Sequence, residues 1–174
     1  MSGRRAVFFD RDGTLMEDVD YCSDPRDVRV YAAVPQALRR LKEAGYAVIL
    51  ITNQSGIGRG MFTEEQYRAV EAEFLRQAGA DSIDGTYFCP DAPGVASTRR
   101  KPEPGMVLEA ARDHGIDLSR SYFVGDKRVD IECGRRAGTS TIQVKTGYGV
   151  SQPSEADFIV QDVAEAVNHI LAKD

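Results

Sequence analysis

Short runs rich in Val, Ile and Phe alternate with longer amphipathic segments rich in Ala, Leu, Arg and Glu along the whole chain. This alternation constrains the fold most, because a short strand that is apolar on both faces needs helices to cover it, and a helical crossover makes successive strands parallel. The spacing predicts strands at residues 6–9, 47–51, 86–89, 122–124, 141–144 and 158–160. Helices are predicted over residues 35–44, 63–78, 104–115, 129–137 and 163–171. Thr63 and Gln66 form a capping-box pattern at one helix start, and Gly45 is placed to stop another. The expectation is an α/β chain with a doubly wound, mainly parallel sheet and helices on both faces, forming a single domain over residues 1–174.

No apolar stretch reaches the length needed to cross a bilayer, since the strongest run, at residues 47–51, is followed at once by Thr52, Asn53 and Gln54. The first residues lack a signal-peptide profile, so a cytoplasmic location is expected, without membrane association. Three cysteines, Cys22, Cys89 and Cys133, are an odd number without a CxxC pair; buried, reduced thiols are expected rather than a disulfide framework. A formal charge of −5 offers no general attraction to polyanions, so no nucleic-acid partner is expected. A small phosphorylated ligand would need local cations.

Right-handed crossovers bring the C-terminal ends of parallel strands to one edge of the sheet, where polar residues that interrupt the apolar runs converge. The first interruption is Asp10-Arg11-Asp12-Gly13-Thr14. Two carboxylates two positions apart can divide the work: one attacks or holds a metal while the other exchanges protons. Taken alone, the motif also fits a solvated acidic turn. The later ligand positions of an EF-hand are absent.

The second interruption, Thr52-Asn53-Gln54-Ser55-Gly56, offers a hydroxyl and backbone N–H groups for phosphoryl oxygens, or an ordinary polar turn. Arg99-Arg100-Lys101-Pro102 supplies cations that suit a phosphate or a solvated loop. Gly125-Asp126-Lys127, followed by Asp130, places a carboxylate where it can join Asp10 on a magnesium ion, with Asp130 orienting a water or a neighbouring side chain. Their co-occurrence at successive strand ends argues for one catalytic site.

The order DxDGT, a strand ending in Thr, Lys-Pro and GDxxxD resembles the haloacid-dehalogenase-like (HAD) phosphohydrolase superfamily, with a Rossmann-like sheet. The TNQSGIGRG and RKPEPGM stretches are similar to its heptose bisphosphate and histidinol-phosphate phosphatase group. The resemblance implies that Asp10 attacks phosphorus to form an aspartyl-phosphate, that Asp12 protonates the leaving oxygen and later activates water, and that Thr52 and Lys101 hold the phosphoryl oxygens. It implies Mg²⁺ on Asp10, Asp126 and the main-chain carbonyl of Asp12. It also implies substrate contacts from Asp18, Val19, Asp20, Tyr21, Asn53, Gln54, Ser55, Arg59, Arg100 and Lys127, and a small sugar bisphosphate as substrate for a monomer or small homo-oligomer.

Such relatives usually carry a zinc loop with Cys-x-His and Cys-x-Cys, whereas Cys89 is followed by Asp91, and Ser97 and Arg99 stand where cysteines are expected. No zinc is expected. His114 and His169 fall on predicted helices away from the motifs. The spacing leaves no room for a large cap domain, so an open cleft is expected. Histidinol-phosphate phosphatase, polynucleotide 3′-phosphatase and a phospho-receiver-like signalling domain stay open as alternatives.

Overall fold

The structure, a computed structural model, describes residues 3–174. Among these, six strands form a single parallel sheet: β1 (Ala6–Phe9), β2 (Ala47–Asn53), β3 (Gly85–Cys89), β4 (Tyr122–Gly125), β5 (Ser140–Val144) and β6 (Phe158–Val160). Their order is β3-β2-β1-β4-β5-β6, so the chain reverses its direction of winding beside β1. The helices are α1 (Val34–Glu43), α2 (Ser55–Gly58), α3 (Glu64–Ala78), α4 (Gly105–His114), α5 (Arg128–Ala137) and α6 (Val163–Ala172).

Strand side chains alternate between two cores. Val7 and Phe9 point with Val48, Leu50, Val124 and Ile142 to the face covered by α1, α3 and α6. Ala6 and Phe8 point with Ala47, Ile49 and Phe123 to the face covered by α4 and α5. Both faces of β1 are fully buried, which explains the unbroken apolar run Ala-Val-Phe-Phe. Val7, Phe8 and Phe9 each contribute about 1.5–3 kcal/mol on burial. A polar residue inside β1 would therefore cost the sheet at its centre.

The predicted strands and long helices match closely, with shifts of one or two residues at their ends. The capping box of Thr63 and Gln66 opens α3, and Gly45, at φ +87, lies just past α1. Pro104 sits at the N-cap of α4, one position before the first turn. The larger difference is β2, which runs beyond Ile51 because Thr52 and Asn53 pair with Phe88 and Cys89 of β3. Polarity ended the apolar run, but the ladder did not need apolar side chains. The short helix α2 and two 3₁₀ turns, Pro25–Asp27 and Leu118–Arg120, are too brief to leave a periodic signal. No helix is long and apolar enough to cross a membrane among the described residues. All three cysteines are buried and unbridged.

Candidate active site

β1 and β4 are neighbours in the sheet, and Asp10 N donates to Val124 O at 3.1 Å. Asp10 and Asp126 therefore leave adjacent strand ends side by side. Oxygen atoms of Asp10, Asp126 and Asp130 lie within 4.8 Å of one another. Asp130 arrives from the first turn of α5, where its Oδ2 accepts from Lys127 N at 3.0 Å.

Lys101 enters this carboxylate cluster from the loop before α4. Its Nζ donates to Asp10 Oδ1 at 2.8 Å, Asp130 Oδ1 at 2.7 Å and Ile51 O at 2.9 Å. All three of its N–H bonds are thus engaged. The backbone of Lys101 is fixed as well, because the Asn53 side chain accepts from Lys101 N and donates to Lys101 O, at 3.0 and 3.2 Å. The strand extension that carries Asn53 is what delivers Lys101 to the site.

Electrostatics separate the carboxyl groups. Burial pushes the Asp10 carboxyl upward, but the ammonium groups of Lys101 and Lys127 outweigh it and hold the group below its ordinary range. Burial and then the charges of Asp10 and Asp130 push Asp126 up to about 8. Asp130 is also raised, by burial and Asp10 against the pull of Lys101. Burial lowers the affinity of Lys101 for its proton, yet Asp10 and Asp130 raise it further, so its charge is secure. An ionised Asp10 beside an Asp126 that resists ionisation fits a site that takes a divalent cation, whose charge would relieve that resistance.

Asp126 is otherwise satisfied: Thr14 Oγ1 donates to its Oδ1 at 3.1 Å and Tyr148 N to its Oδ2 at 2.9 Å. Space around it is tight. Gly13 and Gly147 both have positive φ, and a Cβ on either would collide with Asp126 Oδ2. Thr146 Oγ1 donates to Gly13 O at 2.7 Å, drawing the β5–β6 loop against the Asp10–Thr14 turn.

Asp12 borders both a small polar cavity of about 50 Å³ and a wider cleft of about 390 Å³. The small cavity is lined by Asp10, Asn53, Lys101, Lys127, Val129 and Asp130. The cleft gathers Asp18, Asp20, Tyr21, Asn53, Gln54, Ser55, Arg100 and Lys127. Thr52 is buried beneath it, and its Oγ1 accepts from Gln54 Nε2 at 2.8 Å. Val19 and Arg59 stand outside the lining; the Arg59 guanidinium lies 5.8 Å from the Tyr21 ring, whose backbone, like that of Asp20, is left-handed. Lys127 Nζ faces Asp18 Oδ2 at 3.5 Å and the Tyr148 ring at 5.0 Å.

Sequence reasoning missed the β5–β6 loop. Thr146, Gly147 and Tyr148 interrupt a strand end just as Asp126 does, so the same rule could have found them. His114 ends α4, and the His169 ring packs, tilted by 45°, against Phe158 with ring centroids 3.9 Å apart.

The segment after Cys89 is closed by hydrogen bonds. Ser97 Oγ accepts from Arg99 N and Arg100 N at 3.2 and 3.1 Å. Arg99 donates to Phe88 O at 2.8 Å, and Arg100 donates to Asp91 O at 3.0 Å, holding its side chain at the cleft. With Cys89 as the thiol and two guanidinium groups close by, this donor set does not fit a structural zinc.

Residues 98–166 match the HAD-hydrolase-like family. The chain is 40% identical, over 96% of its length and 95% of the relative's, to D-glycero-D-manno-heptose-1,7-bisphosphate 7-phosphatase of Thermosynechococcus vestitus. It is 39% identical to the D-glycero-beta-D-manno-heptose-1,7-bisphosphate 7-phosphatase of Yersinia pestis, covering 97% of this chain and 96% of that one. Its fold is similar to the D,D-heptose 1,7-bisphosphate phosphatase from B. bronchiseptica complexed with magnesium and phosphate, at a TM-score of 0.89, 30% identity, and coverage of 98% of this chain and 99% of that one.

Proposed function

Because the chain belongs to the HAD-like phosphatase family, we propose that it hydrolyses the 7-phosphate of D-glycero-D-manno-heptose 1,7-bisphosphate, in the cytoplasm, through an aspartyl-phosphate on Asp10. One observation carries the reading. An ionised Asp10, held by Lys101 beside Asp126, sits under a cleft whose polar lining includes the cations Arg100 and Lys127.

Asp10 is the nucleophile. Its lowered pKa keeps it ionised, and its place in the small cavity points it at a phosphoryl group entering from the cleft. Asp12, at the border of both cavities, transfers its proton to the ester oxygen that leaves and later takes one from the water that hydrolyses the acyl-phosphate. Thr52 and Lys101 hold phosphoryl oxygens, with Asn53 and Asp130 fixing Lys101. Asp10, Asp126 and the Asp12 carbonyl would hold Mg²⁺. When bound, the ion offsets the charge of the phosphoryl oxygens. Arg100, Lys127 and the loop carrying Asp18, Asp20 and Tyr21 take the rest of the sugar bisphosphate in an open cleft.

Phosphate release from the heptose bisphosphate, histidinol phosphate and a 3′-phosphorylated oligonucleotide, at matched concentrations with Mg²⁺, tests the assignment. The heptose substrate should give the highest kcat/KM. A higher value for either competitor overturns the substrate, and no turnover of any ester, including aryl phosphates, overturns the enzyme.

A further inference from the structure

Arg11, between the two catalytic carboxylates, is fully buried. Its Nη2 donates to both carboxylate oxygens of Asp12, at 3.3 and 3.1 Å. Its Nε and Nη1 have no hydrogen-bond partner among the described residues. The guanidinium lies 5.7 Å from the centre of the Tyr67 ring, which α3 presents from below. Burying a guanidinium is costly unless its N–H groups and charge are matched. Asp12 is the carboxylate it is paired with.

The turn does not need this side chain. The main-chain carbonyl of Arg11 accepts from the N–H groups of Thr14, Leu15 and Met16, and those bonds survive any substitution except one that moves the backbone. An arginine buried for scaffolding would be expected to bond surrounding carbonyls with most of its donors. This one bonds the neighbouring carboxylate and leaves the others idle. Gln54 completes the grip, since its Nε2 donates to Asp12 Oδ2 at 3.1 Å while also bonding Thr52.

We propose that Arg11, with Gln54 opposite, is a positioning residue that aims the Asp12 carboxyl at the ester oxygen. The inference rests on the phosphatase reading above. In the first step the Asp10 oxygen–phosphorus bond forms and the phosphorus–ester oxygen bond breaks. The Asp12 proton moves to that ester oxygen, and the carboxylate it leaves behind is held by Arg11. An alkoxide needs that proton to leave; a nitrophenolate does not.

Arg11→Met is therefore compared with the wild type on the heptose bisphosphate and on para-nitrophenyl phosphate. The value of kcat/KM for the alkyl ester should fall by about 10- to 100-fold, part of the usual general-acid contribution. For the aryl ester it should fall by less than about 3-fold. Arg11→Lys, which keeps the charge but loses the fork, should lie between. If circular dichroism shows the Met variant unfolded, the Lys variant carries the test: loss confined to the alkyl ester supports the inference. Equal loss on both esters, or a folded Met variant with unchanged alkyl turnover, overturns it. Failure of the phosphatase reading is distinguishable, because the wild type would then turn over neither ester.

Discussion

The unfavourable charge of Asp126 should be visible in the stability of the metal-free protein. Folded Asp126 keeps its proton until about pH 8, whereas the unfolded chain releases it near the ordinary 3.8. Between these values the folded state binds more protons, so stability falls as pH rises through that window and levels off above it. The gap is about four pH units, and at about 1.4 kcal/mol per unit the full loss is on the order of 6 kcal/mol. From about pH 5.5 to 8 the share is about 3 kcal/mol by the same relation. Asp126→Asn cannot titrate. Its amide can accept from Tyr148 N through Oδ1 and donate through Nδ2 to the Thr14 hydroxyl, and any residual cost does not change with pH.

The assay is urea unfolding of both proteins in chelator at a series of pH values. The difference between them isolates the site from other titrating groups. The wild type should lose stability relative to the variant as pH rises, with a limiting slope of about 1.4 kcal/mol per unit. Excess Mg²⁺ should restore the wild type, more at pH 8 than at pH 6, and leave the variant unchanged. Parallel stability curves for the two proteins in chelator would refute the reasoning.

Three further outcomes are expected. Asp10→Asn should release no phosphate and show no phosphoryl-enzyme by mass spectrometry, while its circular dichroism spectrum stays that of the wild type. Lys101→Met leaves Asp10 and Asp130 buried without their shared cation; denaturant unfolding should show a loss of about 3–5 kcal/mol, with kcat falling too. Gly147→Ala puts a methyl group against Asp126 and Gly13 on a positive-φ backbone, so titration calorimetry should show weakened Mg²⁺ binding, and unchanged binding would refute that packing.

The fold was legible because β1, β2 and β4 are buried almost throughout and α3 opens on a capping box, so hydrophobic run length and that capping signal agreed. Asp10, Asp12 and Asp126 were legible as candidates because they follow apolar strands, whereas Lys101, in the loop before α4, stood out only as a cation before a proline. What stayed hidden was contact between distant side chains. Asn53 reads as a substrate ligand, yet both ends of its amide bind the Lys101 backbone; Gln54 likewise bonds Asp12 and Thr52. Arg11 carries no signal of its own in the DxD motif because its burial depends on α3 and the surrounding loops. The end of β2 was hidden for a related reason: main-chain pairing with β3, not side-chain polarity, sets where it stops.

The ammonium of Lys101 has three protons, and Asp10, Asp130 and the Ile51 carbonyl already claim them all. On the mechanism proposed above, an arriving phosphoryl oxygen would have to displace an incumbent, and trading one charged contact for another yields little net affinity. The grip would therefore tighten only as Asp10 turned its oxygen toward phosphorus and gave up its claim. When inorganic phosphate departed, the former partner would be waiting to return, so the same handover that admits the reacting group would also help to expel the product.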